Sequence, residues 1–304
     1  MPTTSFHPDL RFSRFLPRST VGPRSLPILK RLSAPSARRT PRGGALVPVG
    51  DGTSVRVFRP RAPGARVPAL LWMHRGGLIL GTAAMADGFL RRIAEQYGVV
   101  AAAVEYRLAP EHPFPAPLDD AYAALSWLSG QPDVDPARIA VGGDSAGGGL
   151  AAALTQLARE RGEIPIAFQL LSYPMLDDRT TARTDIDPRR LRIWSPVNNR
   201  LGWSAYLGER RPAEMLPRFA VPARAEDLTG LPPAWIGVGT HDLFFDEVVT
   251  YAERLQAAGV PATLEVVPGA YHGFDVVEKR APVSRAYQRV QLEALRSAWF
   301  EKRS

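Results

Sequence analysis

The chain of 304 residues predicts an α/β protein, a mostly parallel central sheet flanked by helices. Three observations carry this. The runs Ala69–Met73 and Val99–Val104 are apolar without alternation, as in parallel strands buried on both faces. Between them, Leu90, Ile93, Ala94 and Tyr97 recur at helical spacing. A third apolar run, Ile139–Gly142, stops at Gly143-Asp-Ser-Ala-Gly147 and continues as a helix, so strand, sharp turn and helix follow one another.

The elements follow in order. A basic N-terminal arm ends at Pro41–Gly44. Leu46–Val49 and Ser54–Phe58 read as two strands joined by the turn Gly50-Asp51-Gly52. Strand Ala69–Met73 leads to a helix over Phe89–Tyr97, with Gly98 as its C-cap, and then to strand Val99–Val104. Pro117–Leu128 is a helix and Ile139–Gly142 a strand, while Ala146–Arg161 is a helix with Leu150, Leu154 and Leu157 on one face. Strands Ala167–Leu171 and Ala234–Val238 come next. Helix Glu247–Ala258 is capped by Gly259, and strand Thr263–Val267 precedes a closing helix from Val283 to about Phe300.

One stretch breaks the rhythm. Residues 178–230 hold no strong apolar strand, are rich in Arg, Pro and Asp, and carry Trp194, Trp203 and Tyr206. An insertion there, with the arm packed against it, predicts a lid over the strand ends. The expected organisation is an arm over 1–44, a core over 45–177 and 231–304, and a cap insertion over 178–230. No internal repeat or low-complexity tract interrupts it.

Composition narrows the class. A hydrophobic content of 45% with 22% charged residues suits a globular protein. No apolar run is long enough to cross a membrane, and the N-terminus lacks the apolar stretch of a secretory signal, so a cytoplasmic protein is expected. The absence of cysteine excludes disulfides, thiolate metal sites and thiol catalysis. The net charge of +8 sits wholly in the arm: residues 1–42 hold nine basic residues and one acid, leaving 29 of each sign elsewhere. Because the arm also carries Leu10, Phe12, Phe15, Leu16, Leu26, Ile28, Leu29 and Leu32, it reads as an amphipathic packing segment with a solvated basic face. No nucleic-acid partner is expected. A nucleic-acid or anionic-membrane role for the arm is the rival reading.

The turn around Ser145 carries the chemistry. Glycines on both sides let the chain reverse without a side-chain clash and lift the hydroxyl clear of the sheet. A serine hydroxyl needs a base, and the base needs an orienting group. Of five histidines, His272 follows a late strand in Pro-Gly-Ala-Tyr-His-Gly-Phe and is the expected base; His241 abuts Asp242. Asp242 stands at the end of strand Ala234–Val238 and is the expected acid, while Asp246 and Glu247 suit the first turn of the next helix. For the negative charge on an attacked carbonyl, the backbone N–H groups of Gly76, Gly77 and Ala146 are the expected donors, with His74 holding their loop in shape. Leu78, Trp203, Tyr206 and Phe274 are candidate walls of the substrate pocket.

Together, His74-Arg-Gly-Gly77, Glu105-Tyr-Arg-Leu-Ala-Pro-Glu-His-Pro-Phe-Pro115, Gly142-Gly-Asp-Ser-Ala-Gly147, Asp242-Leu-Phe-Phe-Asp-Glu247 and Tyr271-His-Gly-Phe274 resemble the hormone-sensitive-lipase family of α/β-hydrolase carboxylesterases over residues 45–300. The resemblance implies an α/β-hydrolase fold with a helical cap, a Ser145–His272–Asp242 triad acting through an acyl-enzyme, short-chain acyl esters as substrates, and neither metal nor organic cofactor. Two positions depart from the pattern: Arg75 replaces the first glycine of His-Gly-Gly-Gly, and Glu105 replaces the usual aspartate. An amidase or deacetylase of a specific metabolite would share these residues, and a non-catalytic receptor of the same fold is the remaining rival. The natural ester, its stereochemistry and a homo-oligomeric state are left open.

Overall fold

A computed structural model describes residues 5–50, 52–61, 66–208 and 215–301. Asp51 of the first turn, residues 209–214 of the insertion, and the ends of the arm and core ranges (1–4 and 302–304) lie outside them. In chain order the elements are α1 (Leu26–Arg38), β1 (Ala45–Gly50), β2 (Thr53–Phe58), β3 (Val67–Met73), α2 (Asp87–Tyr97), β4 (Val100–Glu105), α3 (Ala116–Ser129), β5 (Val134–Asp144), α4 (Ala146–Arg161), β6 (Phe168–Ser172), α5 (Pro196–Leu207), β7 (Ala234–His241), α6 (Phe245–Ala257), β8 (Ala262–Tyr271), α7 (Phe274–Val277) and α8 (Pro282–Phe300).

The strands form one sheet in the order β1-β2-β4-β3-β5-β6-β7-β8. β1 pairs antiparallel with β2, β2 pairs antiparallel with β4, and every later pairing is parallel. On one face Tyr97 of α2 meets Trp299 of α8. On the other, Gln156 of α4 donates to Tyr251 of α6, and Arg161 of α4 lies over Tyr122 of α3. Cover on both faces is why β4 and β6 need no alternation: all but one of their residues are buried.

β8 runs further than its apolar pattern indicates. It continues through Pro268–Tyr271 after a register shift between Gly239 and His241, so His272 leaves directly from a strand end. Gly269 makes the shift possible with φ +71°, a value that glycine tolerates without strain. Its carbonyl accepts the His7 N–H at 3.0 Å, which pins the start of the arm to this edge.

The arm differs from expectation in two ways. Its helix, α1, docks on the core: Lys30 donates to the Ala109 carbonyl at 2.8 Å and Ser36 meets Thr82 at 3.1 Å. The coil before α1 is what touches the insertion. Pro17 accepts from the Ile193 N–H at 2.9 Å, Thr20 donates to the Ile193 carbonyl at 3.0 Å, and Arg192 donates to the Ser13 carbonyl. The apolar residues also divide. Leu10 and Leu26 are buried, but Phe12 and Phe15 of the coil and Ile28 and Leu32 of α1 face solvent.

Candidate active site

The ends of β5, β7 and β8 bring three polar side chains together. Ser145 lies between β5 and α4 with φ +58° and ψ −123°, a strained conformation for any residue with a side chain. The turn closes only because its neighbours are glycines: a β-carbon on Gly143 would collide with the backbone of Gly147, and one on Gly147 with the Met73 carbonyl. The Ser145 N–H donates to the Ser172 carbonyl at 2.9 Å, so the turn is tied to β6.

His272 Nε2 stands 2.9 Å from Ser145 Oγ, and its Nδ1 stands 2.8 Å from Asp242 Oδ2. The other Asp242 oxygen accepts the Phe244 N–H at 2.9 Å. Tyr173 and Phe244 place their ring edges against the imidazole at 5.0 and 5.2 Å. All three polar residues are buried. A hydroxyl facing one imidazole nitrogen, with a carboxylate fixing the other, can pass its proton to the ring as it attacks. Exposed Asp246 instead meets half-buried Arg183, and buried Glu247 accepts the Leu176 N–H at 2.7 Å, bracing the start of the insertion. His241 packs against Phe6.

The loop after β3 faces this trio. Gly76 and Gly77 take φ +131° and +62°, and a β-carbon on Gly76 would run into the Leu80 carbonyl. Ala146 is the first residue of α4, where the N–H has no helical acceptor. His74 stacks on Tyr106 at 4.1 Å and its Nδ1 meets the Arg75 carbonyl at 2.8 Å, so it clasps the loop. Burial pushes its pKa down to about 4, leaving it neutral. Arg75 does not adopt a positive φ, so the position needs no glycine. Its guanidinium turns back to pair with Asp144, linking the loop to the serine turn. Glu105 accepts the Ala83 N–H at 2.9 Å and so braces the far end of the same loop. Burial raises its pKa to about 7.

Of the proposed walls, α5 carries Trp203 and Tyr206, buried, and seats Gly202 against the Gly77 carbonyl. Leu78 is buried, and its carbonyl accepts the Ala109 N–H. Phe274 is buried and packs against Tyr287 of α8, because the chain turns into α7 immediately after His272. Sequence reasoning missed Trp194 as a site residue. Its buried indole lies on Gly77, and its ring is 6.4 Å from that of His272. An aromatic residue in the insertion is visible in the sequence, but its approach to a glycine 117 positions earlier is not.

A family model described as the alpha/beta hydrolase fold matches residues 70–276. The chain is also 40% identical over 229 residues to "Carboxylesterase NlhH" of Mycobacterium tuberculosis, covering 72% of this chain and 70% of that one. The chain belongs to the α/β-hydrolase family, in its hormone-sensitive-lipase-like branch. "Esterase LipI" of the same organism is 38% identical over 69% of this chain and 66% of its own. The solved structure titled "Bacterial Heroin Esterase" superposes with a TM-score of 0.85 at 38% identity, over 99% of both chains. This α/β-hydrolase is a hydrolase of ester bonds. Among its described residues no cluster of His, Cys, Asp or Glu could hold a metal ion, and no helix is long and apolar enough to cross a membrane.

Proposed function

We propose that this protein is a serine carboxylesterase acting on small, short-chain acyl esters through an acyl-enzyme. The observation that carries the reading is the chain of contacts from Asp242 through His272 to Ser145 Oγ. Ser145 Oγ attacks the ester carbonyl while His272 Nε2 takes its proton. Asp242 holds the imidazole in the tautomer that leaves Nε2 free and stabilises the imidazolium that forms. The N–H groups of Gly76, Gly77 and Ala146 receive the oxyanion, with the positive end of α4 behind Ala146. His272 then protonates the departing alkoxide, the alcohol leaves, and water repeats the sequence on the acyl-serine to release the acid. In this reading the insertion over 178–230, with the coil of the arm, forms the cap. Trp194, Leu78, Trp203 and Tyr206 bound the space over Ser145, and the acyl chain is short because these large side chains fill it.

The test is a panel of p-nitrophenyl esters from acetate to dodecanoate, with mass spectrometry of enzyme quenched during turnover. Acetylation of Ser145 and a preference for acetate to hexanoate are expected. Acyl transfer to another residue, or faster turnover of dodecanoate, overturns the reading. An anilide such as acetanilide, run beside phenyl acetate, separates an esterase from an amidase.

A further inference from the structure

Behind the loop of Gly76 and Gly77 lies a second cleft, of about 870 Å³, between α2 and the α7–α8 corner. Neither Ser145 nor His272 lines it. Five exposed cations do: Arg91 and Arg92 of α2, Lys279 and Arg280 from the turn after α7, and Arg285 of α8. None of the five meets a carboxylate among the described residues, whereas Arg56, Arg107, Arg138 and Arg224 are each paired. Glu95 of α2 also lines the cleft but forms no ion pair with any of the five; five cations gathered around one concavity against that single exposed acid repel one another, and an anion between them relieves that repulsion.

The floor has the opposite character. Asp144 is 4% exposed and lines the cleft; Arg75 holds one of its oxygens, but Oδ1 has no hydrogen-bond partner. Asp275 is also buried there and accepts from Tyr173 at 2.8 Å. Two carboxylates at the bottom would repel an anion lodged deep, while an unpartnered buried oxygen calls for a donor. The cleft is thus cationic outside and accepting inside, and its volume suits a small organic molecule.

We propose that this cleft binds a phosphate-bearing small molecule, its phosphate held by the arginine rim and its hydroxyl groups reaching Asp144. Arginine favours phosphate because its fork of donors matches two phosphate oxygens. Occupancy would also be sensed by Arg75, which joins the floor to the loop of Gly76 and Gly77. The site is independent of which acyl group the enzyme cleaves.

Calorimetric titration of the full chain tests this, with ribose 5-phosphate, ribose, inorganic phosphate and citrate as probes at matched ionic strength. Ribose 5-phosphate should bind at one per chain, about tenfold tighter than inorganic phosphate or citrate, with ribose weaker still. The exposed triple variant Arg92→Gln, Arg280→Gln, Arg285→Gln should weaken it by about tenfold or more while circular dichroism and hydrolysis of p-nitrophenyl acetate stay unchanged. Arg38→Gln, a surface cation of α1, should change nothing. Equal binding of citrate and ribose 5-phosphate, no saturable binding at millimolar concentration, or binding indifferent to the triple variant would each overturn the assignment.

Discussion

The indole of Trp194 rests on Gly77, so closely that glycine is the only residue the position admits. Gly77 is also one of the proposed oxyanion donors, and the ring lies 6.4 Å from His272, so one side chain of the insertion roofs both halves of the site. Hydrogen bonds to the residue before it hold it there against backbone strain. Ile193 takes φ +69°, an outlier for a β-branched residue, and the arm grips it at both its N–H and its carbonyl.

Trp194→Ala should therefore widen acceptance. The ratio of kcat/KM for dodecanoate to that for acetate is expected to rise by about tenfold or more, with the Ser145 acyl-enzyme still formed. An unchanged ratio in steady-state assays would remove Trp194 from the pocket.

Ser145→Ala should lower kcat by on the order of 10⁶ and leave the fold intact, since the lost hydroxyl contributes contacts to His272 alone. Retention of more than a few per cent of activity, in enzyme freed of wild-type carry-over, contradicts the mechanism.

The two acids after β7 should separate cleanly. Asp242→Asn is expected to cost about 10⁴ in kcat, because an amide facing Nδ1 favours the wrong tautomer. Asp246→Asn should cost little, since its partner Arg183 lies at the surface and keeps Asp185. Kinetics of both variants decide it; the reverse order would move the acid role to Asp246.

Glu105 gives stability a pH dependence. Burial lifts its carboxyl from the ordinary 4.5 to about 7, so between those values the folded chain binds a proton that the unfolded chain releases. The contribution is complete below about pH 4.5 and is lost as pH rises through about 7. Urea unfolding at pH 5 and pH 8 should show the wild type losing roughly 2 kcal/mol more over that interval than Glu105→Gln. A variant with an equal or larger loss would show that Glu105 is not the group responsible.

Deleting residues 1–42 removes the carbonyls of Ser13, Pro17 and Val21, leaving the buried Arg192 and Asn198 short of partners. The melting temperature should fall by about 5 °C or more, and chain-length preference should shift in the same direction as for Trp194→Ala. Truncated enzyme with wild-type melting and wild-type preference would free the arm from any part in the cap.

How much was legible follows from where the information resides. Apolar runs without alternation sufficed for the parallel sheet, because burial on both faces is a local demand on each strand. The glycines around Ser145 likewise marked its turn, since each stands where a β-carbon would strike backbone within a few residues or in the adjacent loop. His272 and Asp242 could be read from their position after late strands, and the structure brings both to Ser145. Contacts between distant segments had no such local mark. The seat of Trp194 on Gly77, the core packing of Phe274, the splitting of the arm between core and insertion, and the turn of Arg75 onto Asp144 depend on how packed elements meet. Periodicity records which side of an element is buried; which neighbour buries it is decided only when the whole chain closes around its core.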